Sequence, residues 1–326
     1  MQPRVIERDQ APSSMVWLAL GIVYVVWGST YLAIAVVVKT MPPLLSAGVR
    51  FIVAALVMAL IIGFAKGWRS LRISPAQIGA ALIVGGALLL GGNGLVMLAE
   101  QKIPSGLAAL IIAIEPLVVV VLRAINSERI GRGTLLGVVA GFLGVGLLLS
   151  GGLTGEFALI GIVMVVVAAI SWSVGSYYSG SVPLPSDPFV SSAAQMLAGG
   201  VLLTIVGVAA GELPDVKPAN FAPESLLALG YLIVFGSIVA FSAYTWLLQH
   251  APVSKVMTFA YVNPAIAIFL GWLILNEPIT GAIIAGGALI IAAVAVVIRT
   301  ESRSARREPV TASASAPSAV SPSRPA

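Results

Sequence analysis

Two ionisable side chains lie inside long apolar stretches of this chain. Arg50 lies within LLSAGVRFIVAAL and Glu115 within LIIAIEPLVVV. A charge in a lipid environment costs ~2.5–3.5 kcal/mol on the insertion scale, so such side chains face the protein interior and pair. Two interpretations remain open: a substrate-binding or proton-accepting pair, or an ion pair that joins two helices. Glu115 is the candidate for proton coupling.

Aromatic and hydroxyl side chains cluster in two further apolar stretches, WGSTY (27–31) and SWSVGSYY (171–178). The first tryptophan lies ~18 Å into its stretch at the rise of a helix, too deep for an interfacial belt. Aromatic side chains with polar tips suit the wall of a partly wet cavity, although packing between helices through hydroxyl groups is the alternative. The candidate wall residues here are Trp27, Thr30, Tyr31, Trp172, Ser176 and Tyr177.

A polar stripe at helical spacing extends this set. Asn93, Met97 and Glu100 follow one another at i, i+4 and i+7. Asn93 and Met97 are therefore added to the cavity, whereas Glu100 lies at the outer end of its stretch, where simple solvation accounts for its charge. Asn263 occupies the place of Glu115 in the second half of the chain and is the last cavity candidate.

Proline follows both of these central polar residues. Pro116 and Pro264 each remove one helical hydrogen bond, which frees the carbonyl groups of Ile112 and Ala260. Free carbonyl groups at this depth persist where protein or cavity water satisfies them. The two prolines are interpreted as hinges, with a static kink as the alternative.

The overall composition places these residues in a membrane protein. The 326 residues are 59% hydrophobic and 10% charged, with a mean hydropathy of +1.04, whereas soluble proteins carry about 25% charged residues. The chain has no cysteine and one histidine, which excludes disulfides, thiolate chemistry and a multi-histidine metal site. It also lacks a phosphate-binding loop, so we expect no ATP-driven motor and no cofactor. Its basic residues lie in the connections and the tail, which indicates topology and no nucleic-acid partner, and the absence of a catalytic cluster argues against enzymatic activity.

The apolar stretches predict ten membrane-spanning helices. They are roughly 15–37, 44–64, 76–99, 103–125, 133–150, 157–179, 188–209, 225–248, 252–275 and 280–298. Lys and Arg concentrate in residues 1–14, in alternate connections and in residues 299–326, which predicts that both termini face the cytoplasm. The tail 299–326, rich in Arg, Ser, Ala and Pro, is expected to be disordered.

An internal repeat divides the ten spans into two halves. Five residues recur in order at offsets between 145 and 149, namely Trp27/Trp172, Pro43/Pro188, Pro104/Pro252, Pro116/Pro264 and Glu128/Glu277. The predicted repeats are residues 15–151 and 152–298, with five helices each. An odd number of spans inverts the second copy relative to the first, as in many secondary transporters.

Several of these motifs also carry a family resemblance. The runs WGSTYLAI (27–34), PPLLSAGVRF (42–51), GNGLVMLAE (92–100), PSGLAALI (104–111), ISWSVGS (170–176) and YVNP (261–264) resemble the EamA-type exporters of the drug/metabolite transporter superfamily, in particular their YedA-like branch. The resemblance covers all ten spans. It implies a ten-helix inverted-repeat fold in the inner membrane and export of small metabolites by alternating access.

The sequence thus predicts a multi-pass exporter of the cell inner membrane for amino acids or amphipathic compounds, with proton coupling left open. The alternatives are a passive channel, a facilitator or importer, and a membrane-embedded enzyme that acts on lipid-linked substrates. Besides a small-molecule substrate and the lipid bilayer, the expected partner is at most a second copy of the chain, as monomer and homodimer both remain open.

Overall fold

The computed structural model describes residues 12–127, 130–153 and 158–305. Its long helices are α1 (Ser13–Val37), α2 (Pro43–Lys66), α3 (Pro75–Ala99), α4 (Ser105–Ile125), α5 (Arg132–Leu153), α6 (Leu159–Tyr178), α7 (Pro188–Ala209), α8 (Pro223–His250), α9 (Phe259–Leu275) and α10 (Gly281–Ala305). Single turns such as Val253–Val256 lie between them. The predicted all-helical class is confirmed for this part of the chain.

Seven of these helices are long and apolar enough to cross a membrane, within the ranges just given: α1 to α4 and α6 to α8. The remaining three predicted spans coincide with shorter apolar helices, Arg132–Leu148, Val262–Leu275 and Gly281–Val297. Large apolar side chains such as Phe64, Leu136 and Leu227 are exposed on the outside of the bundle. This outer face suits contact with hydrocarbon.

Some predictions concern residues that lie outside the described ranges. They concern residues 1–11, Glu128 and residues 306–326. Residues 299–305 continue α10 as a helix, so this helix ends seven residues beyond the predicted boundary at 298.

Proline and glycine set the ends of α2 and α7. Pro43 and Pro188 begin these helices, where the missing N–H costs nothing because the first turn has no partner for it. Gly67 and Gly211 follow their last turns with φ of 85° and 83°, values that favour glycine because it lacks a Cβ. The two helices therefore share the same start and stop signals.

The helices pack across the two halves in reciprocal pairs. α1 packs on α8 and α9, as α6 packs on α3 and α4, while α2 contacts α7 and α5 contacts α10. Gly144 and Gly286 lie at the α5–α10 crossing, where a Cβ on either would stand 3.1 Å from the carbonyl oxygen of the other. Gly48 and Gly200 make the equivalent crossing between α2 and α7. Small residues let these backbones approach closely.

Both of these paired crossings are antiparallel. Along α5, Gly133 lies against Thr300 and Gly144 against Ile290 of α10. Along α2, Leu45 lies against Gly207 and Ile52 against Gly200 of α7. The order of contacts runs in opposite directions on the two partners in each pair.

Two helices contain π-helical segments at corresponding places, Gly86–Gly94 in α3 and Leu232–Phe241 in α8. Such segments are rare and frequent at functional sites. Each offers a carbonyl group to the neighbouring helix of the other half: Ala87 O accepts from Ser171 Oγ at 2.8 Å, and Gly236 O accepts from Trp27 Nε1 at 3.2 Å. The π segments thus position α6 and α1 around the centre of the bundle.

Candidate functional site

A cavity lies in the middle of the bundle, lined by residues of α1 to α4, α6, α8 and the start of α9. We call it the central cavity. Seven of the candidate residues line it: Trp27, Thr30, Tyr31, Arg50, Asn93, Glu115 and Trp172. Residues from distant parts of the chain therefore converge on one space.

Arg50 is buried in the cavity wall, and its guanidinium group is only partly satisfied. Its Nε donates to Ser237 Oγ at 2.8 Å, and one Nη donates to Asn93 Oδ1 at 3.4 Å. Gly236 leaves room for this group, because a Cβ there would lie 2.9 Å from the other Nη. An arginine carries five N–H donors, so further donors remain for an anionic group in the cavity.

Glu115 faces the same cavity from α4. The helix is interrupted by a turn at Ala113 and Ile114, so Glu115 lies in the first turn of the segment that follows. Its side chain is buried, and its Oε2 atom has no hydrogen-bond partner. Leaving such an atom unsatisfied costs ~1–3 kcal/mol or more. The carboxyl group is thus ready to take a proton or a cationic group.

Arg50 and Glu115 share the cavity wall without forming an ion pair, since the contacts of Arg50 go to Ser237 and Asn93. No group of three or more acidic or histidine side chains in the described ranges could hold a metal ion. The space between the two charges is therefore available to a ligand that carries both signs.

The corresponding residues of the second half have different roles. Gln195, at the place of Arg50, donates to Ser191 Oγ at 2.9 Å within its own helix. Asn263, at the place of Glu115, has its amide group oriented to donate to Phe259 O at 3.3 Å and Tyr24 O at 3.1 Å. Neither lines the central cavity, so its charged wall belongs to the first half alone.

An aromatic cluster closes one end of the cavity. Trp27 packs against Trp172, Tyr244 and Phe259 with ring centroids 5.3, 4.8 and 5.5 Å apart. Phe241 contacts Trp172 at 6.4 Å. Tyr244 precedes the end of α8 by six residues and Phe259 begins α9, so this cluster lies towards the α8–α9 connection. Both indole N–H groups have acceptors, since Trp172 Nε1 donates to Tyr244 Oη at 3.1 Å and Trp27 Nε1 donates to Gly236 O.

The remaining candidates lie behind the wall or beyond it. Met97 is fully buried in the core, and Ser176 Oγ shares a 2.7 Å hydrogen bond with Tyr244 Oη, which supports the aromatic cluster from behind. Tyr177 packs against Tyr178 near the end of α6. Of the two prolines, Pro116 directly follows the interruption of α4, whereas Pro264 lies inside the continuous helix α9.

Other residues of the wall had no signal in the sequence. They are Ile34, Phe51, Gly92, Val96, Ile112, Gly236, Phe241 and Phe259. Apolar residues and glycine are ordinary in a membrane helix, and the helix neighbours that would single them out are known only from the fold. Gly92 belongs to this wall because the ring of Trp172 packs against it, and a Cβ there would lie 2.7 Å from that ring.

Comparison with protein-family models gives one family, described as the EamA-like transporter family, which matches residues 14–150 and again residues 159–299. A fold comparison gives a solved crystal structure that aligns with a TM-score of 0.63 and 22% identity, over 90% of this chain and 99% of the other. At that identity the likeness concerns the fold alone.

Three named relatives cover most of the chain. The uncharacterized inner membrane transporter YedA of Escherichia coli is 37% identical over 78% of this chain and 80% of its own. The uncharacterized transporter YoaV of Bacillus subtilis is 28% identical, over 85% and 94%. A probable amino-acid metabolite efflux pump of Salmonella typhimurium is 27% identical, over 85% and 92%.

Proposed function

The chain belongs to the EamA-like transporter family, and from this premise we propose that it exports small organic solutes by alternating access. It is a multi-pass protein of the inner membrane. The observation that carries the proposal is the central cavity, which brings unused donors of Arg50 and an unpartnered oxygen of Glu115 into one buried space.

The cavity chemistry favours zwitterionic substrates, amino acids above all. Arg50 offers N–H groups to a carboxylate, in the geometry that guanidinium groups supply to such anions. Glu115 offers a carboxyl oxygen to an ammonium group, and the aromatic cluster offers an apolar surface to a side chain. The relative described as a probable amino-acid metabolite efflux pump supports this substrate class, with amphipathic compounds as the alternative.

We propose ten membrane-spanning helices arranged as two inverted repeats, residues 15–151 and 152–298, with both termini in the cytoplasm. The reciprocal packing of α1 and α6, the antiparallel pairs α2–α7 and α5–α10, and the two separate matches of the family model support this arrangement. In this orientation the aromatic cluster closes the cytoplasmic side of the cavity. The monomer and the homodimer are both compatible with it.

Glu115 is proposed as the coupling residue, which binds either a proton or the substrate ammonium group. The two ligands exclude each other there because both occupy the same buried carboxyl group, whose Oε2 has no other partner. Pro116, next to the interruption of α4, is proposed as the hinge that couples this exchange to closure, with Pro264 as its weaker counterpart. This unpartnered carboxyl group favours coupling over a passive channel.

Counterflow in proteoliposomes tests the proposal. Vesicles are preloaded with single amino acids or amphipathic cations, and exchange is measured with and without a pH gradient. We expect saturable exchange of one class, accelerated by an inward-directed proton gradient. The Glu115→Gln variant should lose the response to the gradient, because the amide takes no proton.

The matched control is Glu224→Gln, which changes an exposed acid at the start of α8. It should retain the wild-type response. Exchange that never saturates would favour a channel, and an unchanged gradient response in Glu115→Gln would remove Glu115 from the coupling role. Exchange of uncharged solutes alone would contradict the zwitterion hypothesis.

A further inference from the structure

Glu100 is a buried acid that the central cavity does not use. Although its place at the end of α3 suggested solvation, its exposed fraction is only 7%, and neither carboxyl oxygen has a hydrogen-bond partner. It lies one helical turn beyond Val96, which lines the central cavity. An unpartnered charge at such a site is costly, so this position requires a neutralising partner.

The groups around Glu100 do not supply that partner. Tyr31 of α1, Glu277 after α9 and the backbone of Ala35 lie around it, but neither carboxyl oxygen has a donor at hydrogen-bond geometry. Neither Arg50 of α2 nor Lys102 of the adjacent turn forms an ion pair with it. α6, which packs on this end of α3, has no charged side chain.

Glu277 accepts hydrogen bonds from the start of α4. Its oxygens accept hydrogen bonds from Ser105 N at 2.8 Å, Ser105 Oγ at 2.9 Å and Gly106 N at 3.2 Å, which caps the start of α4. These donors stabilise a carboxylate near a helix N-terminus. Glu277 therefore presents a fixed negative charge to Glu100, which favours a proton on Glu100.

Glu212 is a buried acid of the same fold whose carboxyl oxygens do have hydrogen-bond donors. It is exposed to a similarly small extent, 9%, but its oxygens accept from Leu44 N at 3.1 Å and Leu45 N at 2.8 Å at the start of α2. Both acids lie near connections at the same end of the bundle. The contrast singles out Glu100 as the acid without donors.

Tyr31 links Glu100 to the cavity. Its side chain lines the central cavity together with Glu115, and it lies one helical turn before Ala35, whose backbone is next to Glu100. A phenol hydroxyl can accept one proton on its oxygen while it releases its own, so it passes a proton on and is itself unchanged. One proton then leaves Glu100, one arrives on Glu115, and no other reactant is needed.

We propose that Glu100 is a second proton-binding site, at the end of the cavity opposite the aromatic cluster, and that it supplies Glu115 with protons by way of Tyr31. The role of Glu115 in this route rests on the proposed function. With the proposed orientation, Glu100 lies on the external side and receives the protons that enter the cell as substrate leaves.

Infrared spectroscopy of the full chain in lipid tests the site without any substrate. The carbonyl stretch of protonated carboxyl groups is recorded across pH for the wild type and for Glu100→Gln. We expect this variant to lose the signal of one protonated carboxyl group. Glu212→Gln is the matched control and should lose none, because its carboxylate is satisfied by two amides. An unchanged signal in Glu100→Gln would overturn the proposal.

A second measurement uses the wild type alone, so it tests the proposal even if the Glu100→Gln variant does not fold. A hydrophobic carbodiimide reacts with protonated carboxyl groups in apolar surroundings, and peptide mass mapping locates the adduct in the wild type. We expect modification of Glu100 that declines as the pH rises, and no modification of Glu212. Modification of Glu212 but not Glu100 would contradict the proposal.

The Tyr31→Phe variant tests the route. After a rapid drop in pH, time-resolved infrared spectra should show Glu100 protonated as fast as in the wild type and Glu115 protonated more slowly. Equal rates at Glu115 would exclude Tyr31 from the route. These results do not depend on transport: a proton on Glu100 without any substrate exchange would leave the site standing and overturn the proposed function.

Discussion

At Arg50, the contribution of a side chain to substrate binding can be tested separately from its contribution to folding. Two of its donors bond to Ser237 and Asn93, and because the residue lines the cavity, its other N–H groups remain for a substrate. Lysine at this place keeps the charge but lacks the planar fork that binds a carboxylate.

We expect Arg50→Lys to raise the half-saturation concentration for zwitterions in counterflow by about 10- to 100-fold, the equivalent of about one charged hydrogen bond. Arg69→Lys, in the exposed α2–α3 connection, is the control and should leave it unchanged. An equal rise in the half-saturation concentration for a cation that lacks a carboxylate would show that Arg50 supports the cavity wall but does not bind the substrate carboxylate.

Individual cavity residues could be predicted from the sequence where a polar or amphipathic side chain interrupts an apolar stretch. Trp27, Arg50 and Glu115 were picked out in this way, and the structure brings them to one cavity. The partners of Arg50 were not predictable, because span depth gives height in the membrane but not which helices are neighbours. Glu100 shows the same limit: its place at a helix end suggested water, whereas the packing of α6 and α2 against the end of α3 buries it.

At the scale of helices, glycine decides how closely α5 and α10 approach. A Cβ at Gly144 would lie 2.7 Å from Ile290 Cγ1 and 3.1 Å from Gly286 O, whereas a Cβ at Gly146 meets nothing within 4 Å. We expect Gly144→Ala to lower the free energy of unfolding in detergent by ~1–3 kcal/mol through overpacking. Gly146→Ala should be neutral or stabilising, and equal losses in both variants would contradict the role of the crossing.

The ends of α2 and α7 are joined by an ion pair between Lys66 and Asp187. Partial burial opposes the charge of Asp187, but Lys66 and the amides of Phe189 and Val190 outweigh it and hold the pKa of Asp187 below its usual 3.8. Because the pKa of Asp187 is lower in the folded chain than in the unfolded chain, its charge stabilises the fold at pH values above the unfolded-state pKa. This stabilisation is lost as the pH falls through the folded-state pKa.

We therefore expect Asp187→Asn to lower the melting temperature at neutral pH, with the difference from the wild type shrinking below pH 3.8. Asparagine still caps the helix, so the variant removes only the charge. Thermal unfolding followed by tryptophan fluorescence across pH measures this. Asp215→Asn, at an exposed site between α7 and α8, is the control. A difference that does not vary with pH would mean that the charge is not the cause.

Helix interruptions were only partly predictable. Proline predicted a break near Glu115, and α4 is interrupted at Ala113 and Ile114, whereas Pro264 is accommodated inside α9. The π segments of α3 and α8 have no sequence signature of their own, since an apolar run accepts either hydrogen-bond pattern. Their position depends on contacts with α6 and α1, which the sequence does not contain.

For the whole molecule, topology is the property that decides the transport cycle. The chain has no cysteine, so a single introduced cysteine reports one site without background. Ser70 lies between α2 and α3, and Ala219 lies at the corresponding connection between α7 and α8.

We expect an impermeant maleimide to label the Ser70→Cys variant only from the cytoplasmic side and the Ala219→Cys variant only from the outside. Each variant labelled in opened membranes serves as its own control. Labelling of both from one side would rule out inverted repeats. The family resemblance of the motifs is confirmed by the match over both halves of the chain, but orientation depends on this measurement.

The aromatic cluster also gives the protein a built-in optical signal. Trp27 and Trp172 meet edge to face at 5.3 Å, close enough for their indole transitions to couple as an exciton pair. Any state that opens the cavity towards the α8–α9 connection must separate these rings, and the coupled indole band in far-ultraviolet circular dichroism would then collapse. The signal of these two rings therefore reports the opening of the cavity without any attached label.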